Sequence, residues 1–331
     1  MLNPKLKLNS KLFGDDVEKI AIRTGFGKGL VAAGKADENV VALCADLTES
    51  TQMETFKNEF PKRFVEMGVA EQNLVTVASG MAAMGKIPFC SSYAMFSPGR
   101  NWEQIRTTIA YNDRPVVIVG SHTGVSVGPD GGTHQALEDI ALMRILPNMA
   151  VVSPCDSVEA EKATRALALL GKPAYIRLAR EKTPVMTTVE TPFEIGKAQT
   201  FYAPDGIAHV GIIATGALVH TALLAARDLE KKGVKVKVIN LTTIKPLDTD
   251  AILALAKETR AIVTVEEHQI AGGLGSAVSE FLAQTFPVPI EFIGVHDRFG
   301  QSGTMSELLK EYGMDREDIK QAVIRVLNRK G

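Results

Sequence analysis

Short apolar runs alternate with longer helical patterns along most of the chain. The run NVVALCA at 39–45 is bounded by charged residues, which is typical of a strand buried on both faces of a parallel sheet. Similar runs occur at 64–67, 87–91, 115–120, 150–153 and 173–178, with helical patterns at 71–84, 99–112, 135–146 and 156–170. A first helix, through Phe26, is predicted to begin at a cap formed by Asp15 and Asp16 and to end at Gly34. The alternation predicts a parallel sheet with helices on both faces and right-handed crossovers.

The pattern is interrupted once. Residues 181–206 are rich in Pro, Thr and charge, which indicates a boundary between domains. Beyond them, strands are predicted at 208–214, 235–240, 261–266 and 290–293, and helices at 216–232, 248–258, 274–285, 303–312 and 315–329. We therefore expect an α/β fold of two consecutive parallel-sheet domains, with an extension at 1–14, a first domain at 15–182, a linker at 183–204 and a second domain at 205–331.

The charge balance and the cysteine content exclude several classes of protein. With 37 Lys and Arg against 38 Asp and Glu, nothing favours nucleic acid or an anionic membrane surface as a partner. The 3 cysteines are widely spaced and form no CxxC motif, so a disulfide framework or a zinc site is not expected. No apolar run approaches the roughly 18 residues of a membrane span, and the basic start MLNPKLKLNSKLF lacks a signal-peptide core. We expect a cytoplasmic protein with a short, poorly ordered start.

Glu71 begins the helical pattern at 71–84, directly after a turn at Gly68. An isolated Glu in the first turn of a helix is ordinarily a capping acid. Here the helix that follows is small and apolar, so we expect it to be buried and its first residue to lie at a cleft or an interface. A carboxyl group there is suited to proton exchange with a ring nitrogen of a heterocycle. Tyr93 and Phe96, beyond the next strand, are ordinarily core residues but could form a stacking wall beside it.

A glycine-rich loop follows the strand PVVIVG. It runs from Thr123 to Gln135, directly after His122, and carries Asp130 and His134. Loops at the carboxyl ends of parallel strands are where α/β proteins bind ligands. These side chains could therefore serve acid–base chemistry or hydroxyl recognition. A metal site stays open, but the spacing matches no standard ligand set, and no metal ligand is assigned.

Two further features concern anions. Arg177 and Arg180 follow the strand PAYIRL; such arginines are ordinarily solvated, but at a strand end they also suit a phosphate group. The turn GGLG at 272–275 opens a helix, so its amides could hold an anion. Because the turn lacks the spacing of a dinucleotide fingerprint, we interpret it as a tight strand-to-helix connection.

In this order, the segments resemble the second half of transketolase, namely its pyrimidine-binding and C-terminal domains. The matching segments are IRTGFG at 22–27, ADLTES at 45–50, GVAEQN at 68–73, SYAMF at 92–96, GSH at 120–122, GPDGGTHQ at 128–135, LTTIKPLD at 241–248, and VEEH through GGLG at 265–275. Tyr93 stands where Phe is usual, and Pro129 and Gly132 depart from the commoner GEDGPTHQ. The resemblance covers nearly the whole chain.

The resemblance implies transfer of a two-carbon ketol unit between sugar phosphates with thiamine diphosphate and Mg²⁺. It implies three groups of site residues. In the first group, Glu71 would bind and activate the cofactor's aminopyrimidine, with Tyr93 and Phe96 packed against that ring. In the second, His122 and His134 would lie near the reacting hydroxyls, and Asp130 would bind a substrate hydroxyl. The third group would hold the sugar phosphate and consists of Arg23, Ser50, His122 and Arg180. Arg180 is preferred to Arg177 because the family's phosphate arginine lies deeper in the loop.

One family motif is missing. Enzymes of this type bind Mg²⁺ and diphosphate with a Gly-Asp-Gly motif followed by an Asn, and this sequence contains no Gly-Asp-Gly. We hypothesise a split transketolase in which a separate N-terminal subunit supplies that domain. The active site would then lie between chains, in a heterotetramer built around a dimer of this subunit.

Three alternatives stay open. The β subunits of 2-oxoacid dehydrogenases share the domain pair and nearly the same length, but His122 and the loop DGGTHQ, together with Arg23, Ser50 and Arg180, favour a phosphorylated sugar. Deoxyxylulose phosphate synthase is normally one long chain. A non-catalytic regulatory relative would keep the fold, but it would not need Glu71.

Overall fold

The computed structural model describes residues 1–330, whose strands form a seven-stranded sheet, a five-stranded sheet and a two-stranded ribbon. In chain order the strands are β1 (Lys19–Ala21), β2 (Val40–Cys44), β3 (Phe64–Glu66), β4 (Ile87–Tyr93), β5 (Val117–Ser121), β6 (Ala150–Val152), β7 (Ala174–Leu178), β8 (Lys182–Pro184), β9 (Gln199–Tyr202), β10 (Val210–Ala214), β11 (Val236–Asn240), β12 (Thr243–Lys245), β13 (Ile262–Gln269) and β14 (Ile290–Val295). The α-helices are α1 (Ile22–Ala36), α2 (Glu54–Glu59), α3 (Glu71–Ala83), α4 (Trp102–Gln104), α5 (Asp139–Arg144), α6 (Ser157–Ala168), α7 (Val219–Lys231), α8 (Thr249–Thr259), α9 (Leu274–Thr285), α10 (Met305–Glu311) and α11 (Arg316–Asn328).

The predicted pair of parallel-sheet domains is confirmed. The first sheet has the order β12-β6-β7-β5-β4-β2-β3, and the second has the order β14-β13-β10-β11-β9. Neighbours are parallel except at one edge of each sheet, where β12 runs antiparallel to β6 and β9 runs antiparallel to β11. Strands β2, β5, β7 and β10 are buried along their whole length, because helices cover both faces of each sheet. None of the helices in residues 1–330 is long and apolar enough to cross a membrane.

Strand β12 connects the two halves of the chain. It lies beyond the predicted linker in sequence, yet Thr243 pairs with Val152 at the edge of the first sheet. The predicted linker itself contains structure, since β8 pairs with β1 in the ribbon and β9 forms the edge of the second sheet.

The expected disorder of the N-terminal extension is wrong. Leu12 is fully buried and Leu6 is nearly so, both in the core of the second domain. The amide of Asn3 also donates to the carbonyl of Phe201. This apolar packing outweighs the polar composition of the segment.

Several helix boundaries differ from the sequence patterns. Helix α1 begins after Ala21 without a side-chain cap and continues past Gly34 to Ala36, because β1 keeps the chain extended up to Ala21. The pattern at 99–112 forms the short α4 followed by a π-helix, Ile105–Ala110. The pattern at 135–146 is helical only over Asp139–Arg144, since the side chain of Gln135 donates to two loop carbonyls instead.

Candidate active site

Glu71 lies at the first position of α3, next to the end of β4. Its side chain is 2% exposed. The guanidinium Nη1 of Arg100 donates to Oε2 at 2.9 Å, and Ser92 Oγ donates to Oε1 at 3.3 Å. The buried Asn101 donates through Nδ2 to the Glu71 carbonyl at 2.8 Å. The carboxylate is therefore held at the edge of the sheet by polar side chains from β4 and the segment after it.

Helix α3 is buried on one face only, which corrects the expectation of a wholly buried helix. Leu74, Val75 and Ala78 pack into the core, whereas Asn73 and Gly80 are exposed. A Cβ added to Gly80 would meet no atom within 4 Å. The exposed residues of α3, which begin beside Glu71, are therefore small or polar.

The structure brings the predicted aromatic and histidine residues together. The rings of Tyr93 and Phe96 stack with centroids 6.3 Å apart and an interplanar angle of 20°. His122 stacks on Tyr93 at 3.9 Å, and His134 meets Phe96 edge-on at 5.5 Å. A cluster of four rings, three of them stacked and His134 edge-on, thus lies at the carboxyl end of β4.

His122 is held in an unusual environment. Its backbone has φ of 58°, a left-handed conformation that a non-glycine residue adopts only where surrounding structure imposes it. Its Nδ1 and Ser121 Oγ are 2.8 Å apart. Burial, together with the positive charges of Arg23 and Arg180, lowers the pKa of His122 to about 3. The imidazole is therefore neutral at neutral pH and can exchange hydrogen bonds without carrying charge.

Arg23 and Arg180 line one cavity, and the Ser50 carbonyl contacts Arg23. Arg23 donates to the carbonyls of Ser50 and Arg180, and Arg180 donates to the carbonyl of Val127 at 2.8 Å. Burial and the neighbouring charge of Arg180 lower the pKa of Arg23. The adjoining cavity of about 500 Å³ is lined by four cationic side chains and a single carboxylate, namely Lys19, Arg23, Arg180, Lys182 and Glu181. This excess of positive charge suits an anionic ligand.

Arg177 has a different environment. It is buried and pairs with Asp139 at 2.8 Å, and it also donates to the Glu267 carbonyl. The alternation along β7 and the loop after it sends Arg177 into the protein and leaves Arg180 at the cavity. The geometry accordingly supports the preference for Arg180, which stays a prediction.

The glycine-rich turn before α9 does not offer an anion site. The Glu266 carboxylate accepts hydrogen bonds from the amides of Leu274 and Gly275 at 2.7 and 2.8 Å. A Cβ at Gly273 would lie 2.1 Å from Glu266 Oε2, so the turn needs glycine to close around this carboxylate. The helix N-terminus is thus occupied by the chain's own acid, in agreement with a tight connection.

Asp130 is exposed, at the last position of the 3-10 turn Val125–Asp130 within the glycine-rich loop. Across residues 1–330, no group of three or more His, Cys, Asp or Glu side chains is placed to hold a metal ion.

Sequence patterns missed Arg100 and Asn101. The only local signal was their position just after the aromatic pair, because their contacts with Glu71 span 29 and 30 residues.

Comparison with known proteins decides the family. Residues 18–186 match the family model for the transketolase pyrimidine binding domain, and residues 206–319 match the transketolase C-terminal domain. The chain belongs to the transketolase family. It therefore comprises the pyrimidine-binding and C-terminal domains of a transketolase-type thiamine enzyme.

Three relatives agree with this assignment. A putative transketolase C-terminal section of Methanocaldococcus jannaschii is 42% identical over 311 residues, covering 93% of this chain and 96% of that protein. A 6-deoxy-6-sulfo-D-fructose transketolase subunit of a Clostridium species is 38% identical, covering 91% and 92%. A solved structure described as a split gene transketolase, inactive beta4 tetramer, matches with a TM-score of 0.87 and 40% identity, covering 94% of this chain and 100% of that one.

Proposed function

We propose that this chain is the C-terminal subunit of a transketolase that transfers a two-carbon ketol unit between sugar phosphates. The observation that carries the proposal is the placement of Glu71, a buried carboxylate at a helix N-terminus beside the stacked rings of Tyr93 and Phe96. A carboxyl group at one edge and aromatic rings at one side are what a flat, nitrogen-containing ring requires.

The residues present fit the aminopyrimidine half of thiamine diphosphate. When bound, this cofactor supplies a nucleophilic carbon and an electron sink for cleaving the bond next to a carbonyl. Glu71 would hold a hydrogen bond at a ring nitrogen. Tyr93 and Phe96 would pack against the ring and exclude water from it.

The remaining site residues would orient the sugar. His122, neutral at neutral pH, and His134 would exchange hydrogen bonds with hydroxyls at the reacting end, and Asp130 would bind a further hydroxyl. Arg23 and Arg180, with the Ser50 turn, would bind the anionic end at the cationic cavity. The relative named for a sulfonated sugar supports a substrate with a terminal anion, which phosphate and sulfonate share.

A partner chain completes the site in this proposal. The sequence lacks the Gly-Asp-Gly motif, so a separate N-terminal subunit would bind Mg²⁺ and the diphosphate. The exposed, small-residue face of α3 lies beside Glu71 and would support self-association of this subunit within a heterotetramer.

The test is a ketol-transfer assay with thiamine diphosphate and a phosphorylated ketose donor. This chain alone, a candidate N-terminal subunit alone, and the two together are compared with and without Mg²⁺. We expect activity only in the mixture with Mg²⁺. Full activity of this chain alone would contradict the split site, and decarboxylation of a 2-oxoacid instead of ketol transfer would contradict the proposed reaction.

A further inference from the structure

Arg100 lies between the two groups to which the cofactor ring is assigned. Its guanidinium donates to Glu71 Oε2 at 2.9 Å, and its Cζ lies 5.2 Å from the centroid of the Phe96 ring. The pair is unequal, since the Arg100 side chain is 52% exposed and that of Glu71 only 2%. The adjoining cavity of about 400 Å³ is lined by both side chains, together with Gln72 and Thr76.

The backbone of Arg100 is fixed, whereas its side chain reaches into the cavity from the solvent side. The Arg100 amide donates to the Phe96 carbonyl at 2.9 Å, and the next residue, Asn101, is fully buried. Gly99 packs so tightly that a Cβ there would lie 2.0 Å from the Met95 carbonyl oxygen. Only the long, flexible part of the arginine is therefore free to move without disturbing α3.

Arg100 already occupies Oε2 of the Glu71 carboxylate, and almost none of the surface of Glu71 is accessible, so a ring nitrogen that binds Oε2 must replace the guanidinium. The guanidinium is planar, donates a hydrogen bond to the carboxylate and lies over an aromatic ring. An aminopyrimidine bound at Glu71 would make the same kinds of contact. A buried carboxylate without a partner would be costly, so the arginine also keeps Glu71 paired when no ring is present.

We propose that Arg100 is a placeholder for the cofactor's pyrimidine ring: the guanidinium and the ring compete for the same contacts with Glu71 and Phe96, and the arginine side chain moves into solvent when the ring enters. This inference rests on the proposed function. It makes Arg100 a residue that sets the affinity of the site by competition, since the binding-competent arrangement is only part of the population.

The test measures binding of a pyrimidine fragment to the full chain without its partner. The probe is 4-amino-5-hydroxymethyl-2-methylpyrimidine, followed by calorimetry and by the fluorescence of Trp102, the only tryptophan, which lies two positions from Arg100. Arg100→Met keeps the aliphatic stem but removes the competing guanidinium. We expect it to bind the probe about tenfold more tightly than the wild type, the size of one charge-assisted hydrogen bond. Added salt should strengthen binding to the wild type but not to Arg100→Met.

Three further variants make the result specific. Arg106→Met removes an exposed arginine from the adjoining π-helix and should leave probe affinity unchanged. Arg100→Lys keeps the charge without the planar group and should give an intermediate affinity. Glu71→Gln combined with Arg100→Met should abolish the gain. Thermal melts should show all of these chains folded.

Equal or weaker probe binding by Arg100→Met, including no binding, would overturn the placeholder role. A gain that persists in the double variant would also overturn it, because the competition would then not concern Glu71. The ketol-transfer assay with the partner decides the proposed function separately, so either idea can fail while the other stands.

Discussion

The buried ionisable groups at the edge of the candidate site and those at the seam between the two domains differ in the kind of partner that each group has. We define the seam by Asp139, Arg177, Glu266, Glu267 and His268. At the site edge, Glu71 is paired with a half-exposed arginine. At the seam, Asp139 and Arg177 are 1% and 5% exposed, and Glu266 is bonded to the amides at the start of α9.

Burial alone therefore does not identify a functional charge in this protein. Glu71 and Glu266 are both almost inaccessible and both lie at helix N-termini. Glu266 has backbone partners that cannot leave, whereas the charged partner of Glu71 is a side chain that can. Under the proposed function, the partner and not the degree of burial separates the binding group, Glu71, from the structural one, Glu266.

The largest expected contrast is catalytic. Glu71→Gln should reduce kcat of the assembled enzyme by about 10²–10⁴-fold, the range for losing a positioned acid–base group. The matched Glu266→Gln should retain kcat, because that carboxylate faces α9 and not the site. Steady-state kinetics with the partner subunit checks both variants. Near-normal turnover by Glu71→Gln would end the distinction between the two glutamates.

The free energy of unfolding should respond more to a change at the seam than to a change at the site edge. Arg177→Met leaves the Asp139 carboxylate buried without its partner, so we expect a loss of about 3–5 kcal/mol in the free energy of unfolding. Arg180→Met removes a partly exposed charge and should cost about 1 kcal/mol or less. Urea unfolding followed by circular dichroism measures both. Equal losses in the free energy of unfolding would mean that the buried pair at the seam contributes no more to stability than the partly exposed charge at the site edge.

Substrate recognition should respond to Arg180 and not to a nearby lysine. Arg180→Ala should raise KM for phosphorylated sugars about tenfold, since one charge-assisted contact with the anion is lost, while KM for unphosphorylated analogues changes little. Lys28→Ala, on the exposed side of α1, serves as the control cation. The same change in KM for both kinds of sugar would place the anion contact elsewhere.

The smallest expected effect concerns pH. Burial raises the pKa of Glu266 to about 7 from an ordinary value of 4.5. Between these two pH values the folded protein keeps the Glu266 proton, whereas the unfolded chain has lost it. The contribution of Glu266 to stability should therefore decline as pH rises from about 5 to 7, on the order of 1 kcal/mol.

The measurement compares unfolding free energies of the wild type and Glu266→Gln across that interval. Burial lowers the pKa of the neighbouring His268 to about 4, which produces a slope of opposite sign in both proteins and largely cancels in their difference. A difference independent of pH would show that Glu266 keeps one protonation state throughout.

The strands were predictable from sequence because burial on both faces leaves a continuous apolar run, as in β2 and β10. The bounds of α5 were not, because Gln135 is held by carbonyls as distant as that of Gln301, 166 residues away. The pairing of Tyr93 and Phe96 was anticipated from their position beyond a strand end, whereas the packing of His122 and His134 against these rings was not. The role of Arg100 was not, since no local periodicity records a pairing across 29 residues.

Strand β12 has a consequence for how such a protein can be divided. The edge of β6 is covered by a strand that lies some ninety positions later in the chain, so residues 1–204 alone would present an open sheet edge. The two domains match separate family models, but they are not separate modules. A cut between the two halves of this fold would separate β6 from the strand that covers its edge.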